Sequence, residues 1–331
     1  MLRLNTVRIK IGNTQFFKIL ISAIIIIIVI KRGNIKIGDV LIIFKRIPPL
    51  VFIAAFAGFA FLMFLKSIRW NRLVSSMGFQ LGIKETYVAY LSAFAVGIIT
   101  PGRLGELSKA VWLINKYKID FSPAFRTVIS DRIYDLYFLI CFGIVGLINI
   151  FSFYKEWVWL PQLLFILILM YLIILIGKKI ITFLNLKNTK TNKIKIFILQ
   201  IYSDFSLPSS ALNFLITIFS YFVFFSICHL LINVLGISIN FIQTSFIISC
   251  LSLVLLLPIS IAGFGPREMS LVYLLGLYGV SQETALAFSL SQFLTFYFFG
   301  GILGVLMLWF TPISYENMKL RKYKIWHGIE A

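Results

Sequence analysis

The sequence predicts an all-α polytopic membrane protein with about eight transmembrane helices and two re-entrant, Gly/Pro-broken segments in an inverted-repeat arrangement. Three observations lead to this fold class: an apolar composition, apolar segments of bilayer length, and two similar Gly/Pro-rich breaks. Of the 331 residues, 60% are hydrophobic and only 13% are charged. Soluble domains are about 45–50% apolar and about 25% charged, so lipid is the expected solvent of most of the chain.

The predicted spans are apolar segments close to the roughly 20 residues that a helix needs to cross about 30 Å of hydrocarbon. They lie at about 16–30, 48–66, 86–100, 127–150, 158–177, 211–235, 241–260 and 285–310. The basic N-terminus precedes the first apolar segment, and no small-residue cleavage site follows that segment. The sequence therefore predicts a retained first helix and not a signal peptide.

Basic loops predict the topology, because cytoplasmic loops are enriched in Lys and Arg. Residues 178–195 and the tail 316–331 are rich in basic residues, whereas the turn 236–240 has none. We therefore expect a multi-pass protein of the cell membrane with both termini in the cytoplasm. This topology requires the segments at 86–100 and 241–260 to enter the membrane from opposite sides and to return.

One basic loop, at 31–46, is placed outside by the same topology. We expect residues 35–44 to lie in the interface as a short amphipathic segment, which would weaken their effect on orientation.

The domain organisation is predicted to be a single membrane domain, residues 1–331, with halves at roughly 1–150 and 151–315. The net charge of +19 would suggest nucleic-acid binding in a soluble chain, but here it lies in short loops between apolar segments. No nucleic acid, metal or cofactor is expected. The three cysteines fall within predicted spans, where they are expected to act as small apolar residues.

Two interruptions of the apolar pattern resemble each other: PGRLGEL at 101–107 and GFGPREM at 263–269. Each contains two glycines, a proline, an arginine and a glutamate before the apolar pattern resumes. The residues expected to break the helices are Pro101, Gly102, Gly105, Gly263, Gly265 and Pro266. Matching Gly/Pro-interrupted segments in two halves of a membrane protein indicate the binding site of an inverted-repeat transporter.

The charges at these breaks suggest how such a site would work. Helices that restart after a break offer amide groups for a phosphate or carboxylate, and Arg103 and Arg267 can bind phosphate through two hydrogen bonds each. Glu106 and Glu268 can pair with these arginines in the empty site, or bind a cationic headgroup. The alternative is that each Arg/Glu pair only closes its break with an internal salt bridge.

The segment SDRIYDL at 130–136 places Asp131 and Asp135 four residues apart, on one helix face, with Arg132 beside them. They are expected to line the same cavity. Alternatively, Ser130 and Asp131 cap the start of the helix, although capping does not account for Asp135.

Two other polar positions have structural interpretations. A single His229 in a helix is expected to be hydrogen-bonded structure and not a proton relay. Trp70, between Arg69 and Arg72, is expected to anchor a helix at the membrane edge, with contact to lipid headgroups as the alternative. The sequence contains no motif for nucleotide-driven or covalent catalysis, so no catalytic residue is assigned.

The chain resembles the lysylphosphatidylglycerol synthase transmembrane-region family, the flippase-like membrane domain also found at the N-terminus of multiple peptide resistance factor proteins. The resemblance rests on RWNRLV at 69–74, TPGRLGELSK at 100–109, SDRIYDL at 130–136, PISIAGFGPRE at 258–268 and ALAFSLSQFLTFYF at 285–298. It implies a domain that moves phospholipids or other lipid-linked molecules between leaflets.

From the residues and the resemblance together, the candidate substrate-binding residues are Arg103, Glu106, Lys109, Asp131, Arg132, Asp135, Arg267 and Glu268. The expected partners are membrane lipids with a phosphate headgroup, and a separate synthase or glycosyltransferase is a further candidate. The alternatives are an intramembrane enzyme that uses Glu106 or Asp135 as a base, and an accessory subunit of a lipid synthase. Because the soluble aminoacyl-transfer domain of the resistance factors has no counterpart, enzymatic synthesis by this chain is not expected.

Overall fold

The computed structural model describes residues 27–28, 30–31, 33, 35–151, 159–183, 189–205, 209–257, 260 and 263–310. Throughout this part of the chain, all regular structure is helical, as the sequence predicts. The α-helices are α1 (Ile37–Lys45), α2 (Pro49–Ser75), α3 (Ile83–Ile99), α4 (Ser108–Tyr117), α5 (Phe121–Phe151), α6 (Trp159–Phe183), α7 (Thr189–Ser203), α8 (Ser209–Val234), α9 (Phe241–Leu255), α10 (Pro266–Gly276), α11 (Gln282–Gln292) and α12 (Gly300–Leu308). A 3₁₀ helix occupies Pro101–Leu107, and a π-helical segment occupies Phe293–Phe299.

Four helical stretches of the described chain are long and apolar enough to cross a bilayer. They are Pro49–Ser75, Phe121–Ile150, Ser210–Val234 and Gln282–Leu308, and each contains most of a predicted span. The predicted span at 158–177 falls mainly in α6, whereas most of the first span, at 16–30, lies outside the described residues. The total of eight spans therefore stays a prediction.

Both predicted interruptions are present. α3 ends at Ile99 and is followed by the 3₁₀ helix. α9 ends at Leu255, and ten residues separate it from α10, which begins at Pro266. With 17 and 15 residues, α3 and α9 are roughly 25 Å and 22 Å long at 1.5 Å per residue. Each is shorter than the roughly 30 Å of hydrocarbon in a bilayer.

Each interrupted helix packs against a long helical stretch from the other half of the chain. α3 packs against α12, where a Cβ atom on Gly304 would lie only 2.4 Å from the carbonyl oxygen of Leu91. α9 packs against α5, where a Cβ atom on Gly146 would lie 3.2 Å from the backbone of Phe246. Small residues allow such close approach between membrane helices. Because each interrupted helix packs against a helix of the other half, the two breaks lie near each other.

The backbone at the breaks uses conformations that ordinary residues avoid. Gly263 and Gly265 have φ angles of +78° and +88°, and Arg103 has a φ of +55° although it carries a side chain. In the first break the N–H of Gly105 donates to Thr100 Oγ1 at 2.6 Å. A helix restarts after this break, as expected: Thr100 is extended, and the 3₁₀ helix that begins at Pro101 continues into α4 through Leu107 in a helical conformation.

Within the basic loop at 31–46, the segment expected to be amphipathic, residues 35–44, is largely helical. α1 covers Ile37–Lys45 and packs against α11. Its position relative to a membrane interface stays a prediction.

Candidate functional site

A cavity of about 400 Å³ lies between the two breaks. Its wall is largely apolar and comes from α2, α3, α5, α8, α9 and the π-helical segment, with residues such as Phe59, Leu139 and Phe224. Among its lining residues are four cationic side chains and one carboxylate: Lys66, Arg103, Arg132, Arg267 and Asp135. The volume is within the range of small-molecule sites, about 300–1,000 Å³.

Tyr297, on the π-helical segment, contacts the arginines of both breaks. The guanidinium carbon of Arg103 lies 5.7 Å from the Tyr297 ring centroid and that of Arg267 lies 5.5 Å from it. Arg103 Nη2 also lies 3.4 Å from the Tyr297 hydroxyl, which accepts this long hydrogen bond. Single π-helical turns within α-helices are frequently found at functional sites.

In the second break, Glu268 pairs with Arg267, as predicted. Glu268 Oε1 accepts from Arg267 Nε at 3.0 Å and Nη2 at 2.6 Å, and from Ser289 Oγ at 2.8 Å. Its other oxygen accepts from the N–H of Gly265 at 2.7 Å, so the carboxylate satisfies an amide at the start of α10. Glu268 thus joins the break, α10 and α11.

Arg267 is only 2% exposed, and one of its nitrogens is unused. Among the described residues, Nη1 has no hydrogen-bond partner. The guanidinium group also lies over the rings of Phe264 and Phe293, at 5.1 Å and 5.3 Å. A buried donor without a partner costs roughly 1–3 kcal/mol, and more when it is charged.

In the first break, Glu106 pairs with Arg132 and not with Arg103, so the predicted Arg103–Glu106 pair is wrong. The side chain of Glu106 packs against α3 at Gly97, where a Cβ atom would lie 2.7 Å from Glu106 Cγ. Arg103, with its positive φ, contacts Phe94 and Tyr297 instead. Glu106 therefore pairs with a cation on α5 that lines the cavity.

Behind the cavity wall, Arg69 connects the two aspartates of α5. Its Nε donates to Asp131 Oδ1 at 2.9 Å and its Nη1 donates to Asp135 Oδ1 at 2.9 Å. Nη1 also donates to Thr217 Oγ1 at 2.8 Å. The expectation that both aspartates share one helix face is confirmed, and the capping interpretation of Asp131 is wrong, because α5 begins at Phe121.

Two lysines complete this buried charge network. Lys109 Nζ donates to Asp131 Oδ2 at 2.7 Å, and Lys66 Nζ donates to Asp135 Oδ2 at 2.9 Å. Tyr90 donates its hydroxyl to Asp131 Oδ2 at 3.2 Å. Removing one member of a buried ion network leaves an uncompensated charge, so these helices are held in one arrangement.

The structure separates the predicted site residues into two groups. Arg103, Arg132, Asp135 and Arg267 line the cavity. Glu106, Lys109, Asp131 and Glu268 lie behind them and pair with cavity residues or with the network.

The sequence interpretation missed three side chains that line the cavity or bind the aspartates behind it: Lys66, Arg69 and Tyr297. Arg69 and Trp70 were expected at the membrane edge, but both are 0% exposed, and Trp70 Nε1 donates to Thr127 at 3.1 Å. The anchoring interpretation is therefore wrong for both. The sequence did contain a signal for Arg69. Lys66 and Arg69 are three residues apart, on one face of a helix, and the aspartates of α5 need cationic partners. Tyr297 had no such signal.

His229 and the cysteines have the structural roles that were expected of them. His229 Nδ1 lies 3.0 Å from Thr244 Oγ1, which links α8 to α9. The three cysteines, Cys141, Cys228 and Cys250, are buried in helices with free thiols.

Comparison with known proteins gives two matches. The lysylphosphatidylglycerol synthase TM region family matches residues 15–304. A UPF0104 membrane protein of Methanocaldococcus jannaschii is 24% identical over 329 residues, covering 91% of this chain and 96% of the relative. No solved structure matches. The family match covers both breaks, the aspartate pair and the cavity, and the chain belongs to the lysylphosphatidylglycerol synthase TM region family.

Proposed function

We propose that this membrane protein moves a phospholipid or another lipid-linked headgroup between the leaflets of the membrane. The observation that carries the proposal is the cavity between the two breaks, which combines an apolar wall with cationic side chains. A lipid has the same two parts, a charged headgroup and apolar tails. A charge within a membrane domain is costly and is normally functional.

The two breaks fit a transporter better than an intramembrane enzyme. Both carboxylates suggested as bases are engaged, Glu106 with Arg132 and Asp135 with Arg69 and Lys66. Neither is therefore a free base for a substrate proton. In contrast, interrupted helices that meet at a charged cavity are typical of transporters with alternating access.

In this proposal α3 and α9 are re-entrant from opposite sides of the membrane, and alternating access arises when one half of the chain rocks against the other. The close helix contacts at Gly304 and Gly146 lie between the two halves, and in this proposal they are the packed surfaces that shift when the halves move. The headgroup occupies the cavity while the tails stay in lipid.

A reconstituted system tests the proposal. Purified protein is placed in liposomes with a phospholipid that is fluorescent in one tail, and a membrane-impermeant quencher reports the lipid in the outer leaflet. We expect protein-dependent transfer of the labelled lipid, with no change of lipid mass in mass spectrometry. A changed mass would favour the enzyme, and neither transfer nor a changed mass would favour an accessory subunit.

A further inference from the structure

The charges around the cavity do not balance. Six cationic side chains stand against four carboxylates: Lys66, Arg69, Arg103, Lys109, Arg132 and Arg267 against Glu106, Asp131, Asp135 and Glu268. Two positive charges are in excess in this set. Because uncompensated charge is costly within a membrane domain, a ligand with negative charge is favoured there.

One excess charge belongs to Arg103 at the cavity. The other belongs to the network of three cations and two aspartates, of which Lys66 also lines the cavity. Arg103 has no carboxylate within ion-pair distance among the described residues, and its recorded polar partner is the hydroxyl of Tyr297. Its φ of +55° is a strained conformation for a residue with a side chain, and such strain is concentrated at ligand sites. Arg267 shares Glu268 with Ser289 and retains the unused Nη1.

Both arginines contact the same tyrosine and line the same cavity. The guanidinium carbons of Arg103 and Arg267 lie 5.7 Å and 5.5 Å from the same ring centroid, that of Tyr297. They are thus no farther apart than the sum of those distances, and both line the cavity. Guanidinium groups bind phosphate oxygens through paired hydrogen bonds, and the Tyr297 hydroxyl, which accepts from Arg103, has its own proton to donate.

We propose that this cavity selects lipids whose headgroup has a net negative charge and a phosphomonoester or diphosphate, held between Arg103 and Arg267. It disfavours aminoacylated headgroups with a net positive charge. This inference rests on the proposed function and names its substrate class. A phosphomonoester carries about −1.5 to −2 charges near neutral pH, which matches the excess. A lysyl ester of phosphatidylglycerol carries two amino groups and one phosphodiester, and would add positive charge to a positive cavity.

Asp135, the carboxylate that lines the cavity, does not provide a site for a cationic headgroup. Asp135 accepts from Arg69 and Lys66 at 2.9 Å each, so it is already compensated. Glu106 and Glu268 are paired in the same way with Arg132 and Arg267. No described carboxylate of the cavity is left to receive an ammonium group.

A comparison of the transfer rates of three labelled lipids tests the inference. The full chain is reconstituted in phosphatidylcholine liposomes that contain tail-labelled phosphatidate, phosphatidylglycerol or lysyl-phosphatidylglycerol, and transfer is measured for each. We expect phosphatidate to be transferred at least about tenfold faster than lysyl-phosphatidylglycerol, a ratio that corresponds to about 1.4 kcal/mol. Equal rates, or faster transfer of the lysyl lipid, would overturn the inference and leave the proposed function intact. Absence of transfer for all three lipids would instead contradict the proposed function.

Two substitutions assign the selectivity to the arginines. Arg267→Gln and Arg103→Gln are each expected to slow phosphatidate transfer by roughly tenfold, because each removes charge-assisted hydrogen bonds. Arg72→Gln is the matched control, since Arg72 donates to Asn213 and is not among the cavity-lining residues. Arg103 is exposed and makes one long hydrogen bond, so its variant keeps the test valid if Arg267→Gln does not fold. Unchanged transfer of phosphatidate by the Arg103 variant would overturn its assignment to the phosphate.

Soluble anions distinguish a lipid from a free phosphate. Inorganic diphosphate is added at equal concentration to both sides of the same liposomes. Because the cavity wall is largely apolar, we expect diphosphate to inhibit phosphatidate transfer only weakly. Inhibition by diphosphate at concentrations as low as those of the lipid would identify a soluble anion as the ligand, and would overturn the lipid part of the inference.

Discussion

At the scale of single residues, the cavity depends on charges that are paired across helices far apart in sequence. Arg69 on α2 binds Asp131 and Asp135 on α5, and Lys109 on α4 binds Asp131 from the other side. The network lies behind the cavity wall. Its role in this account is to hold α5 in place so that Arg132 and Asp135 line the cavity.

Replacement of Asp131 by Asn tests that role. The variant leaves Lys109 without its carboxylate partner in a fully buried position. We expect a loss of about 3–5 kcal/mol in the free energy of unfolding, measured as a lower melting temperature in detergent. Asp39→Asn, at an exposed position of α1, is the control. Equal melting temperatures for both variants would contradict the structural role.

At the scale of helices, the sequence allowed the two interruptions to be placed, because Gly, Pro and charge stop an apolar pattern locally. The partners of the charges at these breaks were less predictable. Glu106 follows Arg103 by three residues, yet the tight approach of Glu106 to Gly97 and the positive φ of Arg103 separate them. Such contacts depend on tertiary packing, which no local spacing encodes.

The fold of the first break depends on a glycine with no room for a side chain. A Cβ atom on Gly105 would lie 2.3 Å from the carbonyl oxygen of Val96. We expect Gly105→Ala to destabilise the protein by about 1–3 kcal/mol, as other overpacked substitutions do. Gly276→Ala, with no atom within 4 Å of its Cβ position, is the control and should melt like the wild type. A Gly105→Ala protein of unchanged stability would contradict this packing.

At the scale of the whole molecule, transport by alternating access requires one cavity that is reached from both sides of the membrane in turn. The four long apolar helical stretches of the described chain surround or adjoin this cavity. The apolar segments alone predicted a membrane protein, but not the cavity, because its wall combines residues from helices far apart in sequence and from the two breaks.

Accessibility of a cysteine in the cavity tests this requirement. In a variant without Cys141, Cys228 and Cys250, Ser252→Cys places a thiol on the cavity wall. We expect a membrane-impermeant thiol reagent to modify it from either side of sealed proteoliposomes. Ser249→Cys, at a fully buried position one turn earlier in α9, should resist modification. Modification from one side only would contradict alternating access.

The most direct test of the central claim is leaflet transfer by the Glu268→Gln protein in liposomes. The single amide oxygen can accept from the Gly265 N–H or from Arg267 but not from both, and the charge that neutralises Arg267 in the empty site is lost. We expect lipid transfer to fall at least about tenfold, equivalent to about 1.4 kcal/mol, when it is measured at a temperature at which the variant is folded. Glu283→Gln, in the first turn of α11, is the control and should transfer lipid normally. Transfer by Glu268→Gln at the wild-type rate would contradict the claim that the two breaks form the site of lipid transfer.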